Sequence, residues 1–193
     1  MADPPADAPH VRRNFLPPAQ LLRLLGALDR LAGSWASSEA LGLLGRGGTH
    51  QVRATDLAVQ GPLGEVRELL APATLRWAQT CGFRFSAPPH LQMFPVRMVG
   101  DAKRPPHQEP HADSSPGLPG APVCTSVFYA TAKSIDGGDL ALAGAGGIDD
   151  PIVVRPTPNT LVSFAGDRVH WVLPLLAGER VSIVINFYAA APR

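Results

Sequence analysis

Cysteine is nearly absent from this chain: Cys81 and Cys124 are the only two in 193 residues. Neither a disulfide framework nor a cysteine-rich zinc site can be built from them, so a reducing, cytoplasmic setting is expected. Long hydrophobic runs are missing as well. The stretch LLRLLGALDRLAG carries Arg23, Asp29 and Arg30 and is too short to span a bilayer, so no membrane partner is expected. The opening MADPPADAPHVRRN is acidic and proline-rich, where a secretion signal needs a basic start and an apolar run. A surplus of either charge is also lacking. With a formal net charge of +1 there is no basic field to recruit nucleic acid, which is not an expected partner.

The remaining composition suits one globular domain, with 45% hydrophobic and 17% charged residues. Residues 1–12 are expected to form a disordered tail, followed by a single domain over 13–193. Its first part, 13–90, reads as helical. A helix is expected to begin after Pro17-Pro18, since proline is tolerated in a first turn. Leu21, Leu24, Leu25, Leu28 and Leu31 then recur at helical spacing on one face. Gly45, Gly47 and Gly48 break the chain. A second helical region, LGEVRELLAPATLRWAQTCG, is expected to be interrupted or kinked at Pro72.

From Leu91 the texture changes. LQMFPVRMV, PVCTSVFYATA, GGDLALA, PIVVRP, NTLVSFAG, RVHWVLP and RVSIVINFYA are short β-rich runs separated by turn residues. They predict a mainly β fold with N-terminal helices, a jelly-roll core of seven or eight strands over 91–188. Residues 114–122 and the GAGGIDDP turn are the expected flexible parts.

One segment, HQEPHADSSPG, concentrates metal-binding side chains. His107 and His111 have helical spacing, but Pro105, Pro106 and Pro110 forbid a regular helix there. On extended backbone side chains alternate, so His111 and Asp113 point the same way, with Pro110 marking the strand entry. His107 and Glu109 are then loop or supporting groups. By itself a His-x-Asp triplet is also compatible with a solvated loop. His170, on RVHWVLP, could lie on a neighbouring strand and complete two imidazoles and one carboxylate. That set leaves three open positions on a metal and suits non-haem Fe(II), while the missing thiolates argue against structural zinc. Further on, alternation places Val181, Ile183, Ile185 and Phe187 on one face, and Arg180, Ser182, Val184 and Asn186 on the other. An arginine on a buried strand requires an anion, and its planar fork fits a carboxylate, with the Ser182 hydroxyl as helper.

Taken in order, His111-x-Asp113, VFY, GGDLAL, PTPNTLVSF, His170 and Arg180-x-Ser182 resemble the Fe(II)- and 2-oxoglutarate-dependent dioxygenases, in the prolyl-4-hydroxylase-like branch. The resemblance covers residues 91–188 and implies a double-stranded β-helix. It implies His111, Asp113 and His170 as iron ligands and catalytic residues. Arg180 and Ser182 would hold the distal carboxylate of 2-oxoglutarate, joined by the Tyr129 hydroxyl, with Leu140 packing against the co-substrate. The implied reaction uses O2 and 2-oxoglutarate, releases succinate and CO2, and hydroxylates a C–H bond; desaturation and epoxidation stay open. Related halogenases replace the carboxylate ligand by a small residue, and Asp113 argues against that chemistry.

Two departures bear on substrate. The last strand ends NFY rather than the asparagine-x-tryptophan of many prolyl hydroxylases. Asn186 stands where nucleic-acid demethylases of the superfamily carry a second arginine. A free amino acid or natural-product scaffold is the expected substrate, with a peptidyl proline as the alternative. Arg97 and Trp171 are the candidate substrate contacts, together with residues 114–122, although Trp171 has the opposite parity to His170. Two other readings compete: a binding module with a silent metal site, and a cupin-like metalloenzyme without 2-oxoglutarate, which would have no need of Arg180.

Overall fold

In a computed structural model, described here for residues 8–41, 43, 45–52, 61–85, 89–113 and 120–189, two helices pack on a β core. The strands are β1 (His10–Arg13), β2 (Ala36–Ser37), β3 (Thr49–Gln51), β4 (His90–Val99) and β5 (Gln108–His111). They continue as β6 (Cys124–Gly137), β7 (Leu140–Gly144), β8 (Gly147–Val154), β9 (Thr160–Ala165), β10 (His170–Val172) and β11 (Leu175–Tyr188). A major sheet runs β1-β9-β6-β11-β4-β3-β2, and a minor sheet runs β5-β10-β7-β8. All pairings are antiparallel. Together they form the expected double-stranded β-helix.

Helix α1 (Pro18–Asp29) starts at the diproline and buries Leu24 and Leu28, with Leu31 just beyond its end. Helix α2 (Pro62–Thr80) buries Leu63, Val66, Leu70, Thr74 and Ala78 at intervals of three and four. Their partner is the outer face of the major sheet, where Phe128, Leu161, Val181, Ile183, Ile185 and Phe187 share one core with them. Glu65 pairs with both Arg30 and, at 3.4 Å, Arg23, tying the helices together at their exposed side.

Several local expectations need correction. Helix α2 is not interrupted at Pro72. Pro72 and Glu68, whose carbonyl loses its i+4 donor, both lie on the exposed side, where water can satisfy that oxygen. The tail expected over 1–12 extends too far, because His10–Arg13 pairs with Thr160–Ser163 as an edge strand. Two short strands, β2 and β3, fall in the part read as helical. Strands β4–β11 make eight, within the seven or eight expected over 91–188, but GIDDP belongs to strand β8 rather than to a turn. Its acidic residues are exposed at the sheet edge, where charges block further strand pairing. Of the loop 114–122, residues 114–119 lie outside the described residues. Among those described, no helix is long and apolar enough to cross a membrane.

Candidate active site

The minor sheet brings the two histidine-bearing strands together as neighbours. His111 ends β5 and His170 opens β10, and the two are direct partners in the antiparallel register. Strand β5 begins at Gln108, so Pro110 sits inside it rather than at its entry. As β5 is an edge strand, the missing N–H is tolerated. Asp113 lies just past the strand end. Its Oδ1 is 4.0 Å from His111 Nε2 and its Oδ2 3.8 Å from His170 Nε2. One ligand atom from each of the three falls within 4.8 Å of the others.

Backbone carbonyls fix both rings. His111 Nδ1 is 2.7 Å from the Glu109 carbonyl and His170 Nδ1 is 2.9 Å from the Arg168 carbonyl. With Nδ1 as the donor, each Nε2 is left with a lone pair aimed at the cluster, the tautomer a metal ligand needs. Burial lowers the His170 pKa, against the opposing pull of Asp113, so the ring is held neutral. The Phe164 ring stands 4.9 Å from that of His170 and blocks its other side. Two imidazole nitrogens and a carboxylate oxygen, without a thiolate, suit Fe(II), so the donor set fits that ion.

Thr125 was not singled out by sequence, yet its hydroxyl donates to Asp113 Oδ2 at 2.7 Å. A threonine in a β-rich run carries no mark of such a role; only its shared parity with Tyr129 hinted at it. Glu109 contributes through its carbonyl, while its carboxylate is exposed and meets His107 Nε2 at 3.2 Å. His107 makes no contact with the cluster and is tied to Pro105 O at 2.9 Å.

Below the cluster, between the sheets, a narrow cavity is lined by Phe94, Val96, Val127, Leu140, Val172 and Val184, with Tyr129, Arg180 and Ser182 among its polar groups. Arg180 is buried and forms no ion pair with a carboxylate among the described residues. It donates to the Gly138 carbonyl, its guanidinium carbon stands 5.6 Å from the Tyr129 ring centroid, and its Nε has no partner. Burial lowers its pKa despite the favourable influence of Tyr129 and Asp139. The Tyr129 hydroxyl also lacks a well-formed hydrogen bond, and burial pushes its pKa up to about 12, so it is a donor at neutral pH. Gly137 and Gly138 set the turn that aims this carbonyl at Arg180. Both have positive φ, and a Cβ at Gly137 would come within 2.1 Å of the Pro174 carbonyl oxygen.

Arg97 and Trp171 do not belong to the site. On β4, Phe94 and Val96 face the cavity, so Arg97 faces the helices, where it pairs with Glu179 at 2.7 Å. Trp171 alternates with His170 and Val172 and is half-buried outside the cavity.

The model of the 2OG-Fe(II) oxygenase superfamily matches residues 97–188, a span that includes all three candidate ligands and Arg180. Residues 97–188 belong to the 2OG-Fe(II) oxygenase superfamily. The family's chemistry is that of 2-oxoglutarate-dependent dioxygenases, which work with Fe(II), 2-oxoglutarate and O2, and residues 97–188 carry the donor set that fits it. Solved oxygenases share its fold. A Pseudomonas putida prolyl-4-hydroxylase is 20% identical with TM-score 0.67, over 96% of this chain and 95% of the other. A 2OG-Fe(II) oxygenase family oxidoreductase from Burkholderia pseudomallei is 18% identical with TM-score 0.72, over 95% and 85%. A prolyl hydroxylase from Trichoplax adhaerens, in complex with a hypoxia inducible factor peptide fragment, is 14% identical with TM-score 0.70, over 95% and 84%. No curated protein sequence matches the chain.

Proposed function

We propose that this oxygenase hydroxylates an unactivated C–H bond of a small molecule, using His111, Asp113 and His170 as iron ligands. The observation that carries the reading is Arg180: buried, in no ion pair with a carboxylate among the described residues and with its Nε unpartnered, at the foot of the cavity beneath the cluster. A buried guanidinium costs free energy unless an anion meets it. The distal carboxylate of 2-oxoglutarate is such an anion.

Iron, when bound, supplies the O2 activation that couples decarboxylation of 2-oxoglutarate, to succinate and CO2, to oxidation of the substrate C–H bond. The chain supplies binding and exclusion. Arg180 holds one end of the co-substrate, with the Tyr129 hydroxyl and Ser182 as additional donors, and Leu140 packs beside it. The apolar walls keep water from the co-substrate. Asp113, held by Thr125, and the two imidazoles through Nε2 would hold the metal. Cys81 and Cys124 are both free thiols, in keeping with a reducing cytoplasm. A peptidyl proline is the second reading, favoured by the prolyl hydroxylases among the solved structures of this fold. An epimerase from nogalamycin biosynthesis, 15% identical with TM-score 0.67, shares the fold too and is named for small-molecule chemistry.

The test is an anaerobic titration of Fe(II) into the metal-free protein with 2-oxoglutarate, following the visible charge-transfer band of the chelate. The band should vanish in His111→Ala and need at least a hundredfold more 2-oxoglutarate in Arg180→Ala. A folded protein that binds Fe(II) but gives no band refutes the reading.

A further inference from the structure

The major sheet carries a row of cross-strand neighbours at the level of the metal ligands: Gln92 on β4, Asn186 on β11, Thr125 on β6 and Phe164 on β9. All four share the parity of the cavity-lining residues. Two of them already serve the metal cluster, Thr125 by its bond to Asp113 and Phe164 by packing on His170. The next place in the row belongs to Asn186. The residue is 3% exposed, and its Oδ1 has no hydrogen-bond partner. A buried carboxamide oxygen is seldom left unpaired, because nothing repays its desolvation. Neighbouring strands lie about 5 Å apart, so this oxygen sits one strand spacing from the hydroxyl that holds Asp113.

We infer that Asn186 reads the substrate, and that the substrate carries a neutral amide beside the C–H bond attacked. This rests on the oxygenase reading above and narrows it. A carboxamide presents an acceptor and a donor side by side, which matches the N–H and C=O of a second amide at two points. The residues beside Asn186 in the row, Gln92 and Thr125, are neutral, and Gln92 accepts the Tyr188 hydroxyl at 3.3 Å. None of the row's side chains balances a charge there, so the ammonium or carboxylate of a free amino acid would be buried against Asn186 without a counter-ion. An acylated amino acid, a cyclic dipeptide and a peptide all offer the shared chemistry; a free amino acid does not.

The test uses the anaerobic Fe(II)–2-oxoglutarate complex and reads the shift of its charge-transfer band when a probe binds, so no turnover is needed. The probes are N-acetyl amino-acid methylamides, cyclic dipeptides and proline-containing tripeptides, each set beside the parent free amino acids. Neutral amides are expected to shift the band and free amino acids to leave it unchanged; whether compact amides or tripeptides bind better separates the two sources. Asn186→Leu should lose at least tenfold in affinity for the amide that binds, while forming the chelate band at the wild-type 2-oxoglutarate concentration. Its melting temperature should equal or exceed that of wild type, since an unpaired buried oxygen is removed; a structural asparagine would give a fall. The inference is overturned if no amide shifts the band, if only charged compounds do, or if Asn186→Leu binds the amide normally. Absence of the band in wild type would instead refute the oxygenase reading.

Discussion

Thr125→Val replaces one hydroxyl by a methyl group and leaves the β-branched shape that β6 packs around. The bond removed is the 2.7 Å contact to Asp113 Oδ2, a hydrogen bond to a charged acceptor, of a kind worth about 1.5–3 kcal/mol. Only the part that differs between metal-free and metal-bound protein enters the metal affinity. Without its donor, Asp113 is free to turn away in the metal-free state, so binding must also pay to order it. Losing supporting bonds of this kind costs roughly 10–100-fold in metal affinity. A loss of about tenfold, about 1.4 kcal/mol, is expected here because both imidazoles keep their own carbonyl supports. The assay is competition for Co(II) or Fe(II) against a chelator, with the metal's visible spectrum recorded alongside. Thr125→Ser should restore both affinity and spectrum. A dissociation constant within twofold of wild type, with an unchanged spectrum and melting temperature, would refute the argument that Thr125 positions the ligand.

Two further outcomes follow from placement alone. Arg97→Ala should leave Fe(II) and 2-oxoglutarate affinities within twofold of wild type and lower stability by less than about 1 kcal/mol in denaturant titration, because its pair with Glu179 is partly solvated; a tenfold change in either affinity would put Arg97 back in the site. Burial raises the Cys124 thiol from its ordinary 9.0 to about 12, so the fold favours the protonated form. Its contribution to stability is complete below pH 9 and is lost between pH 9 and 12, by about 1.4 kcal/mol per pH unit. Cys124→Ala should flatten that alkaline slope in urea titrations across the same range, and an unchanged slope would show that other groups control it.

Alternation made the last strand legible. Val181, Ile183, Ile185 and Phe187 do pack on the helices, and Arg180, Ser182 and Val184 do line the cavity. Arg97 could not be placed by the same rule, because β4 is apolar on both faces: Met93 faces the helices, while Val96 and Met98 pack between the sheets. A strand buried on both sides gives no pattern to show which residues see the metal. Strand β1 was missed for the opposite reason, since HVRR has almost nothing apolar to bury and is held at the sheet edge by its backbone. Asn186 was noticed only as the absence of a second arginine, and its unpaired oxygen becomes visible only when its neighbours across two strands are known.

The two faces of β11 divide the work between stability and chemistry. Its odd-numbered residues from 181 to 187 join the core shared with both helices, and a cavity there would cost the fold a few kcal/mol without touching a reacting group. The even-numbered positions carry a buried guanidinium at 180 and an unpaired carboxamide at 186, both of which weaken the fold by themselves. Asn186 lies at the level at which the metal ligands meet and Arg180 at the foot of the cavity below it, six residues or about 20 Å apart along the strand. An oxygenase that must hold a co-substrate carboxylate at one end and a substrate at the other needs unpaired polar groups at those two places and apolar wall between them. Val184 supplies that wall on β11. The cost of these two groups is offset on the opposite face of the same strand, where Val181, Ile183, Ile185 and Phe187 are buried in the core shared with the helices.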